Sequence, residues 1–74
     1  MSRPIKRSFS IKGHRTSISL EAEFWVALKE AAGEDDVALA GLIAAIDKVR
    51  GSSGLSSAVR VWLLHRYRAR AKLL

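Results

Sequence analysis

The chain has no cysteine, which excludes a disulfide framework and a thiolate metal site. It has no apolar run near the ~20 residues that a bilayer span requires. No continuous apolar segment follows the basic start Met1-Ser2-Arg3-Pro4-Ile5-Lys6-Arg7, so no signal peptide is expected and the expected location is cytoplasmic. Imidazoles are scarce: His14 and His65 are the two, and neither has a His, Cys or acidic neighbour at metal-ligand or triad spacing. No glycine-rich phosphate loop follows a strand. Glu34-Asp35-Asp36 reads as a solvated turn and helix cap rather than a metal site. These gaps argue against an enzyme, and no catalytic residue, metal or cofactor is expected. There is no internal repeat.

Acid is missing from both ends of the chain. Residues 1–20 carry Arg3, Lys6, Arg7, Lys12 and Arg15, and residues 51–74 carry Arg60, Arg66, Arg68, Arg70 and Lys72, with no Asp or Glu in either stretch. Glu21, Glu23, Glu30, Glu34, Asp35 and Asp36 are gathered between them. The net charge of +6 is therefore segregated, and a positive end favours a polyanion through counterion release. The plainer use of such charge is solubility.

What is present is enough for one small domain. Seventy-four residues, 49% of them apolar, are not a disordered tail. A chain of this size buries only about 60% of the surface its unfolded form exposes, so it gains from dimerisation. The organising stretch is Arg15-Thr16-Ser17-Ile18-Ser19-Leu20. Side chains of a strand alternate faces, so Thr16, Ile18 and Leu20 suit a core while Arg15, Ser17 and Ser19 face outward. A lone strand leaves its backbone groups unpaired, and a second copy of the chain is the expected partner. Upstream, Ser8-Phe9-Ser10-Ile11-Lys12 alternates with the opposite parity. The chain must therefore turn or bulge between the two, and Gly13 permits it. Whether residues 8–12 pair back as a hairpin or run out as an arm stays open. Residues 1–12 are expected to form a basic arm, with Pro4 discouraging helix.

Three helices follow. Glu21 to Ala32 places Phe24, Leu28 and Ala31 on one face, widened by Trp25 and Ala32. Asp35 or Asp36 is the expected cap of the next helix, about Val37 to Arg50, whose stripe is Leu39, Leu42, Ile43, Ile46 and Val49. Beyond the connector Gly51-Ser52-Ser53-Gly54, Ser56 or Ser57 is the expected cap of a third helix. That helix is apolar nearly all round from Val59 to Leu64, which suggests burial between two surfaces, one of them supplied by a dimer.

Two antiparallel strands are narrow enough for the B-DNA major groove, about 12 Å wide. In that pose Arg15 can bond guanine bidentately, and Ser17 and Ser19 can donate or accept. The alternative is a half-buried strand whose polar face is simply wet.

The alternating strand, the immediate helix Leu20-Glu21-Ala22-Glu23-Phe24, the acidic and glycine turn and the second helix with Leu42-Ile43 resemble the ribbon-helix-helix family of dimeric DNA-binding proteins. The run Gly13 to Trp25, with Leu55-Ser56-Ser57-Ala58-Val59-Arg60 downstream, is similar to a small bacterial branch of it. The resemblance covers about residues 13–68. It implies base reading by Arg15, Ser17 and Ser19, and phosphate gripping by amides at the start of the second helix. There the stretch Val37-Ala38-Leu39-Ala40 lacks the family's hydroxyls, and Asp35 and Asp36 stand beside it. Gly54-Leu55-Ser56-Ser57-Ala58 carries hydroxyls and offers a second alignment, at the cost of making residues 37–50 an insertion.

The expected fold is mostly α with one short strand per chain: a ribbon-helix-helix domain over residues 13–70, an intermolecular two-stranded antiparallel sheet, an extra C-terminal helix and a tail at 71–74. Thr16, Ile18, Leu20, Phe24, Leu42, Ile43, Ile46 and Trp62 are the expected dimer core. The expected function is sequence-specific binding of double-stranded DNA by a homodimer that regulates transcription. Arg3, Lys6, Arg7 and Lys12 are the expected phosphate contacts. The rival is a protein-interaction module, antitoxin-like, that keeps the dimer fold and docks a protein partner through the C-terminal helix. RNA binding by that basic helix is a third reading, and no membrane partner is expected.

Overall fold

The computed structural model describes residues 3–72. Its first unit is a hairpin of β1 (Ile5–Ile11) and β2 (His14–Leu20), antiparallel, in a register running from Ile11 opposite His14 to Ile5 opposite Leu20. Lys12 (φ 52°) and Gly13 (φ 79°) form the two-residue turn. Positive φ at both central positions is the type I′ geometry, whose twist matches that of the flanking strands. The parity switch between the two alternating runs is this turn, so residues 8–12 belong to a hairpin. Residues 5–11 are a paired strand, so the chain itself supplies a two-stranded antiparallel hairpin ahead of its three helices, within the mostly α fold that was expected. Met1 and Ser2, the start of the expected arm, lie outside the described residues.

The alternation puts Phe9 and Ile11 of β1 on the same face as Thr16, Ile18 and Leu20 of β2. Trp25 fastens β1 to the helices: its indole Nε1–H donates to the Ile5 carbonyl at 2.9 Å, and its ring lies 6.0 Å from that of Phe9. This anchor, 20 residues away in sequence, joins the turn in deciding for a hairpin.

β2 enters helix α1 (Ala22–Glu34) through Glu21 alone. Trp25, Leu28, Ala31 and Ala32 are buried. The helix ends with Asp36 at φ 54°, the Asp36 N–H bonded to the Gly33 carbonyl and the Val37 N–H to the Ala32 carbonyl. That pattern is a Schellman motif with an aspartate in the left-handed position usually held by glycine. The acidic turn thus closes α1 and does not cap α2 (Leu39–Val49), whose N-cap is Ala38 with no side-chain hydrogen bond. Leu42, Ile43 and Ile46 of α2 are buried, whereas Val49, at the last turn, lies beyond the core and is exposed.

Helix α3 (Leu55–Lys72) starts earlier than a cap by Ser56 or Ser57 allows, because the Gly54 carbonyl already accepts the Ala58 N–H. Ala58, Val59 and Leu63 are buried against the rest of the chain, while Val61, Leu64 and Tyr67 are left exposed. The core joins residues from both strands and all three helices, and no polar side chain among the described residues is buried. Of the expected dimer core, Ile18, Leu20, Leu42, Ile43 and Ile46 are buried within one chain, and Thr16, Phe24 and Trp62 are half-buried. Among the described residues no helix is long and apolar enough to cross a membrane.

Candidate nucleic-acid interface

The outer face of the hairpin is set by its register: Lys6 opposite Ser19, Ser8 opposite Ser17, Ser10 opposite Arg15. Lys6, Ser8, Ser10, Arg15 and Ser17 are all exposed. The Ser8 and Ser17 hydroxyls lie 3.3 Å apart, so one donates to the other across the strands. The face carries two cations, four hydroxyls and no acid, an array of donors and acceptors suited to phosphate and base edges.

Ser19 sits at the margin of this face. It is half-buried because α3 lies against it: the Ser56 Oγ accepts the Ser19 N–H at 3.0 Å, and Arg60 donates to the Ser19 carbonyl at 3.1 Å. Arg7 falls on the opposite face, its guanidinium 5.3 Å from the centre of the Trp25 ring. Lys12 occupies the exposed tip, and Arg3 precedes β1. The structure thus groups Arg15 and Ser17 with Lys6, and sets Arg7 apart. It adds Ser8 and Ser10, which the sequence reading did not assign. Their signal was the odd parity of Phe9 and Ile11, which turns the two serines outward once the segment pairs back.

The starts of α2 and α3 differ from a hydroxyl-flanked phosphate grip. Beside α2, Arg66 bonds Asp35 through both terminal nitrogens at 2.9 Å and Glu34 at 3.0 Å, and Arg70 adds a bond to Glu34 at 3.2 Å. The hydrogen bond from Arg66 holds both carboxyls below their ordinary pKa values, and the two carboxylates hold the guanidinium in its charged form. At α3, the Ser56 hydroxyl is engaged by the Ser19 N–H. Glu21, which ends the ribbon, has its carboxyl pKa lowered by its own backbone N–H and then by Arg60, 3.0 Å away. His14 and His65 are both exposed, and no group of three or more metal-ligating side chains occurs among the described residues.

A ribbon leading directly into a helix pair is the arrangement described by the ribbon-helix-helix domain model, and that model matches residues 4–67. The chain belongs to the ribbon-helix-helix domain family. The match begins at the foot of β1 and takes in α3 as far as residue 67, so the hairpin and most of the third helix lie inside the ribbon-helix-helix domain. No curated protein and no solved structure matches the chain. Ribbon-helix-helix domains are in general those of DNA-binding regulators and typically act as dimers.

Proposed function

We propose that the chain is a homodimeric, sequence-specific DNA-binding regulator of transcription that acts in the cytoplasm by laying its antiparallel ribbon in the major groove. The observation that carries this reading is the acid-free outer face of the hairpin. Strands about 4.8 Å apart fit side by side in a groove about 12 Å wide. Arg15 and Ser17 are the base-reading residues, with Ser19 at their margin. Lys6, Lys12 and Arg3 are the phosphate contacts, and Arg7 flanks them from the Trp25 side.

Fluorescence anisotropy against a pool of genomic duplexes, followed by selection and sequencing of the bound fraction, tests it. Binding is expected to weaken steeply with salt, with a log-log slope of about −0.9 for each phosphate neutralised. Arg15→Ala is expected to cost about 1–3 kcal/mol on the selected site and to flatten discrimination at one position in each half-site. Lys6→Ala is expected to weaken all duplexes alike and make the slope shallower. Salt-independent binding, or an Arg15→Ala variant with unchanged site preference, overturns the reading.

A further inference from the structure

Strand β2 passes into α1 through Glu21 alone, at φ −59° and ψ 151° and with no side-chain cap. A one-residue junction leaves only soft backbone dihedrals between ribbon and helix. Apolar packing beneath the sheet holds it close, but that attraction is non-directional and does not set the angle. Direction has to come from hydrogen bonds.

Two ties meet the foot of the hairpin, one on each strand. On β1, Trp25 donates to the Ile5 carbonyl. On β2, helix α3 takes both backbone groups of Ser19: the Ser56 Oγ accepts its N–H at 3.0 Å, and Arg60 Nη2 donates to its carbonyl at 3.1 Å. Ile5 and Ser19 stand at adjacent steps of the register, since Ile5 faces Leu20 and Lys6 faces Ser19. One tie alone lets the ribbon turn about it, whereas a tie on each strand does not. Toward the turn no further hydrogen bond joins the hairpin to the helices among the described residues, so the β2 edge is open there and the outer ribbon projects from its foot.

Arg60 is the group that reaches strand, junction and helix together. The same guanidinium donates through Nε to the Glu21 carboxylate at 3.1 Å and lies 5.7 Å from the centre of the Phe24 ring. It lines an apolar groove of about 390 Å³ between α1 and α3, and with its side chain 33% exposed its bonds are partly shielded from water. A planar fork with donors in fixed directions holds all three in one geometry. A lysine ammonium, a point charge on a flexible stem, does not.

We propose that Arg60 is a positioning residue for DNA recognition: it fixes the angle of the ribbon to the helices, and through that angle the place at which Arg15 meets a base edge. This role rests on the DNA-binding reading above and adds to it a residue of the third helix that acts through the ribbon. Arg15 lies four residues, about 13 Å, along β2 from Ser19, so a turn of about 10° at the foot carries its Cα about 2 Å sideways. Hydrogen bonds of about 2.7–3.2 Å do not survive such a shift. The lever makes the farther reader the more sensitive one.

The test compares affinities of the full chain for its selected duplex and for one altered at the base pair read by Arg15. Their ratio is independent of the folded fraction, because partial unfolding weakens both alike. For one bidentate arginine the wild-type ratio is expected to be about 5- to 150-fold. Arg60→Ala is expected to lower it about threefold or more, and Arg60→Lys nearly as much, because the charge is kept and the fork lost. Ser56→Ala, which removes one hydroxyl, is expected to lower it less, and it keeps the test open where Arg60→Ala does not fold. The salt slope is expected to stay at the wild-type value in all three. Arg66→Ala removes an arginine of the same helix with its bonds to Glu34 and Asp35, and is expected to lower the melting temperature with the ratio unchanged. Without DNA, amide residual dipolar couplings are expected to fit one alignment frame for ribbon and helices in the wild type, and to shrink in the ribbon alone in Arg60→Ala.

A wild-type ratio in Arg60→Ala, an equal loss in Arg66→Ala, or ribbon couplings that keep their magnitude overturns the inference. So does a slope shallower by about 0.9 in Arg60→Ala and restored in Arg60→Lys, the mark of a direct phosphate contact. A wild type that selects no duplex overturns the DNA reading, while couplings that shrink in Arg60→Ala still support the hold of Arg60 on the ribbon.

Discussion

Three residues show how much of this small fold rests on single side chains. Trp25 fills the space between β1 and the helices and also bonds the Ile5 carbonyl, so it holds the strand at two points. Trp25→Ala is expected to cost about 3–5 kcal/mol and to release β1, whereas Trp25→Phe keeps the ring contact and loses about 1 kcal/mol with the hydrogen bond. Urea unfolding with a second probe on the hairpin distinguishes the two. Asp36 holds a left-handed conformation that costs a non-glycine residue on the order of 1 kcal/mol. Asp36→Gly is expected to recover a large part of that, seen as a higher denaturation midpoint at unchanged m-value. Lys12, also at positive φ, places a cation at the tip of the ribbon by the same means.

Among the elements, α3 does the most varied work. Its start occupies the backbone N–H and C=O of Ser19 through Ser56 and Arg60, its middle buries Val59 and Leu63, and its last turns clamp the end of α1 through Arg66 and Arg70 on Glu34 and Asp35. The two carboxyls have lowered pKa values in the folded chain, so the clamp contributes fully above their ordinary values of 4.5 and 3.8 and is lost as pH falls through the lowered ones. Thermal melts across the acid range are expected to show a fall in stability that the Glu34→Gln, Asp35→Asn double variant makes shallower. Arg66→Ala is expected to destabilise more than Arg70→Ala, because Arg66 holds both acids and lies 5.4 Å from the centre of the Trp62 ring. The helices themselves were legible as amphipathic periods, and α2 most clearly so. Their ends were not. Asp35 and Asp36 look like an N-cap for α2 and Ser56 looks like one for α3, yet Asp36 closes α1 and Ser56 reaches the strand. A capping residue can serve either neighbour, and only its spatial surroundings choose between them.

At the scale of the whole molecule, the chain closes one core and leaves a polar face, a strand edge and an apolar groove open. In the homodimer proposed above, unfolding is coupled to dissociation. The melting temperature is then expected to rise with protein concentration, measured by circular dichroism over a wide range of protein concentration. A concentration-independent melt argues for a monomer. The sequence by itself determined the alternation of both strands, the switch of parity at Gly13, the apolar stripes and the absence of acid from the ribbon, because each follows from periods of two and 3.6 and from charge along a short stretch. It left open whether residues 8–12 return as a strand, since pairing and arm present the same local pattern. It also assigned Arg7 and Lys6 the same role. Only the tertiary structure separated them, by placing Arg7 over Trp25 and Lys6 beside the serines. Likewise only the tertiary structure turned α3 onto the β2 edge. Both outcomes depend on contacts between residues some 20 to 40 positions apart, and no local period of the chain encodes those.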